Sequence, residues 1–207
     1  LWQFEKNIFS DTAYYFITTA DSEGARVTEA PDYDITNNII SSYIARKVHE
    51  LDEVNLLGNS GRDWFEAYFK AGESRSYNFP TEGAIDTIKA FIKIVGRSDL
   101  AGAFEIYNNE TLLGLISYKG INTKSGSTYD LKGDIQNEIF TFLVNDATTI
   151  LTLKLPVVAG YDVLIGYLDQ IVLTYASDLV LHNDMMLFSN PLLEQDTITY
   201  EIISDED

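Results

Sequence analysis

The residue types that do chemistry are unevenly supplied in this chain. Its 207 residues hold two histidines, no cysteine, and 32 Asp+Glu against 14 Lys+Arg, a formal net charge of −18. Without a thiol there is no disulfide, no thiolate metal site and no cysteine nucleophile. Two histidines rule out a histidine-rich metal centre, and His49 and His182 lie far apart in the chain. Each reads as a strand or loop histidine on or near the surface. Gly72-Glu73-Ser74-Arg75-Ser76 begins like the G-x-S-x-G nucleophile elbow but lacks its last glycine. It also sits where a loop enters a strand, whereas the elbow joins a strand to a helix. Gly58-Asn59-Ser60-Gly61 reads as a turn. Around Lys124-Ser125-Gly126 the order is wrong for a phosphate loop, in which Lys-Ser follows the second glycine. The sequence therefore names no catalytic and no cofactor-binding residue.

Carboxylates are too plentiful for any pair to stand out. Asp130, Asp134 and Glu138 are candidates to gather, as are Asp32 with Asp34 and Glu194 with Asp196. The EF-hand spacing is absent, so a structural calcium ion held between loops stays open with no ligands named. Nothing selects the acid and base of a two-carboxylate glycosidase. The negative surface repels phosphate backbones and anionic headgroups, which argues against nucleic acid and membrane-surface partners. Apolar runs fall far short of the roughly 18 residues a membrane-spanning helix needs. Aromatics invite a flat sugar-binding face from Tyr14, Tyr15, Phe16, Trp64, Phe65, Tyr68, Phe69, Tyr77 and Phe79. Aromatics also favour strands and fill sandwich cores, and that is the stronger reading.

The elements that must position these residues are strands. Ile88, Ala90, Ile92 and Ile94 share one face while Lys89 and Lys93 point the other way, the period of two of a half-buried antiparallel strand. Leu151, Leu153 and Leu155 repeat the pattern, as do Phe140, Phe142 and Val144. Tyr167, Asp169, Ile171, Leu173 and Tyr175 mark one face of a longer strand. Further strands are expected at Ala13–Thr19, Tyr43–Leu51, Ser76–Phe79, Ala103–Tyr107, Leu112–Lys119, Met185–Phe188 and Thr197–Ile203. Turn residues such as Gly96-Arg97-Ser98-Asp99 and Asn108-Asn109 separate them. Only Asn55–Phe69, apolar at Leu57, Trp64, Phe65, Tyr68 and Phe69, suggests a helical turn or two.

The expected fold class is all-β: an antiparallel β-sandwich or jelly-roll-like main domain with a small N-terminal β extension. Residues 1–49 would form the extension, 50–190 the sandwich, and 191–207 a final strand and acidic linker or tail. The start at Leu1-Trp2-Gln3, without an initiator methionine, suggests an excised piece with any signal peptide already removed.

Three stretches, in order, resemble one family. Glu50-Leu51-Asp52 through Ser60-Gly61-Arg62-Asp63-Trp64-Phe65-Glu66-Ala67-Tyr68-Phe69 is similar to the E-x-D…N…SGR-x-W-F/Y-G-E-x-F segment near the N-terminus of type IX secretion sortases. Gly166-Tyr167-Leu168-Asp169-Gln170-Ile171-Val172-Leu173 is similar to their WLDYIxLN strand, and Met185-Met186-Leu187-Phe188 follows as it does there. Tyr14-Tyr15-Phe16-Ile17-Thr18 with Gly24-Ala25-Arg26-Val27 resembles their early hairpin. Glu66-Ala67 replaces the family's Gly-Glu, and Tyr167 stands where tryptophan is usual. These sortases are large gingipain-like cysteine peptidases whose catalytic His and Cys lie downstream of this region. The resemblance thus implies a non-catalytic β-rich module, with no cofactor, on an exported protein of the periplasm, outer membrane or cell surface. Its implied partners are its own downstream peptidase domain, outer-membrane secretion components or secreted substrate proteins. Arg62, Trp64 and Asp169 match motif positions without an assigned role. Three Asp-Thr-apolar strings (Asp11-Thr12-Ala13, Asp86-Thr87-Ile88, Asp196-Thr197-Ile198) resemble an O-glycosylation sequon of exported bacterial proteins. The rival reading is a cell-surface carbohydrate-binding or adhesin-like sandwich.

Overall fold

A computed structural model describes residues 38–55, 63–127, 129–158, 164–181, 186, 188 and 198–204. The chain divides after Ile35 into two units, and every described residue belongs to the second. The strand expected at Ala13–Thr19 lies outside the described residues, as do Met185 and Leu187 of the strand expected at Met185–Phe188.

Among the described residues there are strands and no helix. They are β1 (Ile39–Ile40), β2 (Ser42–Glu50), β3 (Val54–Asn55), β4 (Trp64–Phe65), β5 (Phe69–Lys70), β6 (Ser74–Pro80), β7 (Ala84–Gly96), β8 (Gly102–Asn108), β9 (Thr111–Tyr118), β10 (Asp134–Leu143), β11 (Thr148–Lys154), β12 (Ile165–Asp178), β13 (Val180–Leu181), β14 (Thr199–Tyr200) and β15 (Ile203–Ser204). No helix among these residues is long and apolar enough to cross a membrane.

Two antiparallel sheets make the sandwich. One runs β10-β7-β12-β2, with β5 paired to the start of β12; the other runs β6-β11-β8-β9. The alternating residues read from the sequence form the layer between them. Ile88, Ala90, Ile92 and Ile94 of the first sheet meet Leu151, Leu153, Phe104, Ile106 and Ile116 of the second in one buried cluster. Phe140, Phe142 and Val144 pack against its rim. Burying a large aliphatic side chain contributes about 1.5–3 kcal/mol, so this layer dominates the fold's stability. Its geometry is local to particular residues. Gly96 and Gly166 stand opposite each other on β7 and β12. A Cβ at Gly96 would lie 2.0 Å from the Tyr118 ring, and one at Gly166 would lie 2.4 Å from Phe104. The paired glycines open a slot that these two rings fill.

Three expectations change. Tyr167 does not share a face with Ile171. The β12–β7 register shifts between Leu168 and Gln170, so Asp169 is the extra residue of a bulge. An odd insertion reverses side-chain parity. Ile171 points into the main core, whereas Tyr167 joins Phe65 and Val95 in a second cluster. The helical turn expected within Asn55–Phe69 is absent from its described part, where β4 and β5 are extended and Val54 pairs with Phe65. Thr197–Ile203, expected as one strand, holds β14 and the start of β15, which pair in parallel with β1 and β13 respectively.

Candidate functional site

The segment from Asp63 to Lys70 wraps one end of the sandwich, and the polar constellation is built on it. Phe65 is buried in the second cluster, and Phe69 is buried in the main core with its ring edge-on to Phe104. Backbone bonds tie the segment down: Glu66 N–H donates to Leu168 O at 3.0 Å, and Glu53 N–H to Phe65 O at 3.0 Å. Ala67 N–H donates to the Glu53 carboxylate at 3.1 Å. Between the two phenylalanines Glu66 must turn inward, and a buried carboxylate is tolerated only when its oxygens are hydrogen-bonded.

Glu66 has those partners, drawn from both sheets. Tyr77 on β6 donates its hydroxyl to both carboxylate oxygens at 3.1 Å. His49 on β2 donates Nε2–H to Oε2 at 3.0 Å, and Arg75 on β6 reaches Oε1 at 3.3 Å. Arg75 also donates to the carbonyls of Ala67 and Tyr68 and lies 4.2 Å over the Phe69 ring. Burial by itself would raise the pKa of Glu66. The hydrogen bonds from His49 and Tyr77, with the charges of His49 and Arg75, outweigh it and hold the carboxyl below the ordinary glutamate value. Burial and the adjacent carboxylate push the Tyr77 phenol far above its usual value. A tyrosine so placed is a permanent donor at physiological pH. The arrangement does the work of a clamp: an ionised acceptor held by three donors, joining two sheets through one loop.

A second carboxylate behaves oppositely. Asp169, the bulge residue, pairs with Lys93 Nζ at 2.6 Å. Burial raises its pKa, Lys93 offsets only part of that rise, and the charges of Asp52 and Asp63 add to it. A bulge beside a raised carboxyl is a common setting for proton transfer, though it also arises in structural ion pairs. Among the described residues no three of His, Asp and Glu group so as to hold a metal ion.

The residues singled out by sequence are dispersed. His49 is half-buried on β2 and engaged by Glu66, while His182 and Arg62 lie outside the described residues. Ser74 opens β6 after a turn in which Gly72 has φ +88°, with no helix following. Asp134 accepts the Lys119 N–H at 2.7 Å, Asp130 pairs with Ser125, and Glu138 is exposed on β10, so the three do not converge. Asp32, Asp34, Glu194 and Asp196 lie outside the described residues, and Thr87 is half-buried on β7. Of the aromatics, Phe65, Phe69, Tyr77 and Phe79 are buried, whereas Trp64 and Tyr68 are 41% and 42% exposed. Tyr14, Tyr15 and Phe16 lie outside the described residues. Glu66, Arg75, Tyr77 and Lys93 carry the polar structure, and no motif marked them. The signal was a lone carboxylate inside the aromatic string Trp64-Phe65-Glu66-Ala67-Tyr68-Phe69, which must find donors if it is buried.

Neither a protein-family model nor a curated protein sequence matches the chain. Among solved structures it is similar to dimeric latent PorU from Porphyromonas gingivalis, at 18% identity and a TM-score of 0.56, over 71% of this chain and 14% of PorU. Looser overlaps join it to the carbohydrate-binding module CBM36 in complex with calcium and xylotriose (10% identity, TM-score 0.36, 60% of this chain and 86% of that one). Another joins it to the insecticidal delta-endotoxin Cry8Ea1 from Bacillus thuringiensis (13%, 0.43, 67% and 25%). The PorU likeness is one of fold. It confirms a β-sandwich module, and this chain spans a small part of PorU's length.

Proposed function

We propose that this chain is a non-catalytic β-sandwich module ahead of a gingipain-like cysteine peptidase domain in an exported protein of the type IX secretion pathway. It packs against that peptidase and helps position secreted substrates or outer-membrane partners. The observation that carries the reading is the overlay on PorU across most of the chain, since PorU is a type IX secretion sortase and the sequence motifs resemble the same family. The polar chemistry agrees with it, because Glu66 is fully occupied in holding loop 63–70 to both sheets. The reading calls for no cofactor and places the protein in the periplasm, outer membrane or cell surface.

The natural gene provides the test. Its reading frame is expected to continue for several hundred residues and to supply a histidine and a nucleophilic cysteine, while this chain alone hydrolyses no peptide substrate. A frame without that pair, or proteolysis by this chain, contradicts the reading. The exposure of Trp64 and Tyr68 favours a second reading, a carbohydrate-binding sandwich. Binding on a glycan array that Trp64→Ala abolishes would establish it, and an array without hits would remove it.

A further inference from the structure

We infer that the free edge of β10 is a strand-addition site for an extended, basic segment of a partner protein. β10 ends its sheet, paired with β7 and, among the described residues, with no other strand. Its register fixes which backbone groups are unused. Val144 N–H donates to Asp86 O at 2.8 Å, and the β10–β7 pairing runs in step from that point. Antiparallel ladders alternate, so the even-numbered residues of β10 bond to β7. The N–H and C=O groups of Ile135, Asn137, Ile139, Thr141 and Leu143 therefore point away from the sheet.

The same residues carry the exposed apolar side chains. Ile135, Ile139 and Leu143 are 46%, 51% and 62% exposed. A long edge strand is normally blunted by proline, lysine or a bulge. β10 has no proline, lysine or bulge, and its blunting charges are Asp134 and Glu138 alone: its sequence is Asp-Ile-Gln-Asn-Glu-Ile-Phe-Thr-Phe-Leu and its pairing is unbroken. Such an edge offers main-chain bonds for affinity and alternate side chains for specificity, the requirements of strand addition.

Charge selects the occupant. The acids of β10 are Asp134 and Glu138, the strand has no basic residue, and the whole chain carries −18. Lys89 and Lys93 sit one strand inward on β7, where Lys93 is held by Asp169. A second copy of the chain would bring another −18 and a second Glu138 to the edge. A segment with a lysine or arginine facing Glu138 and aliphatic residues beside Ile135, Ile139 and Leu143 meets the edge on both counts. The proposal rests on the reading of this chain as a partner-positioning module and gives that role a surface.

The test uses a short synthetic peptide alternating valine with lysine, and its counterpart with glutamate for lysine, followed by amide hydrogen exchange and fluorescence anisotropy. The lysine peptide is expected to protect the amides of Ile135, Asn137, Ile139, Thr141 and Leu143, and the glutamate peptide to leave them exchanging. Thr141→Pro removes one outward N–H without touching the β7 ladder and is expected to weaken binding roughly tenfold. Ile139→Lys, a side-chain block on the same edge, should weaken it as well, and serves if the proline variant fails to fold. No protection at these amides, equal binding of the glutamate peptide, or a concentration-dependent dimer protecting the same amides overturns the proposal. Those failures leave the module reading to the gene's reading frame and the hydrolysis assay, which do not involve β10.

Discussion

Two carboxylates, Glu66 buried and Asp169 half-buried, have opposite chemistry. Glu66 lies in a loop yet is the better held, with Tyr77, His49 and Arg75 donating to it. Asp169 lies within β12, and among the described residues it is paired with Lys93 and faces the charges of Asp52 and Asp63. Burial acts on both in the same direction. The number and sign of neighbours decides the outcome, so Glu66 stays ionised below its ordinary range while Asp169 binds its proton more readily than a free aspartate. Secondary structure sets where a carboxylate sits, and its partners set what it does.

Removing the clamp has the largest expected effect. Glu66→Ala takes the acceptor from the Tyr77 hydroxyl and His49 and one of several acceptors from Arg75, and should cost about 2–3 kcal/mol, measured by urea denaturation. Lys93→Met strips Asp169 of its cation and should cost about 1–2 kcal/mol at neutral pH, with the loss shrinking in acid as Asp169 takes up a proton. Tyr77→Phe removes a donor but keeps the ring, at about 1 kcal/mol. Asp169→Asn trades an ion pair for a neutral amide in a half-buried site and should stay within about 0.5 kcal/mol of the parent. A large loss there, or a small one at Glu66, would erase the contrast.

The pH dependence separates the two by sign. Glu66 has a depressed folded value, so its contribution is complete above the ordinary glutamate value of about 4.3 and is lost as pH falls through the folded one. Asp169 has a raised folded value. The folded state then binds its proton first, and stability from this group rises as pH falls from that value toward the ordinary aspartate value of about 3.9. Glu66→Gln should flatten the acid side of the stability curve, and Asp169→Asn should steepen it.

The sandwich was legible because residues 88–94 of β7 and the residues of β11 alternate in burial, with one apolar face toward the core. The face assignment failed within β12 at Asp169, since a bulge adds a residue without changing composition or hydropathy. Loop 63–70 looked weakly helical because its apolar residues fall near helical spacing. What holds it extended is non-local: Leu168 O, the Glu53 carboxylate and Arg75. The clamp was hidden for the same reason, as His49, Arg75 and Tyr77 reach Glu66 only once both sheets have formed.

The proposed role is tested most directly by calorimetric titration of this chain with the domain encoded immediately after it in its natural gene. A saturable complex with a peptidase domain that carries His and Cys is the expected result. A downstream domain of that kind giving no binding heat, or a gene that encodes no such domain, would contradict it.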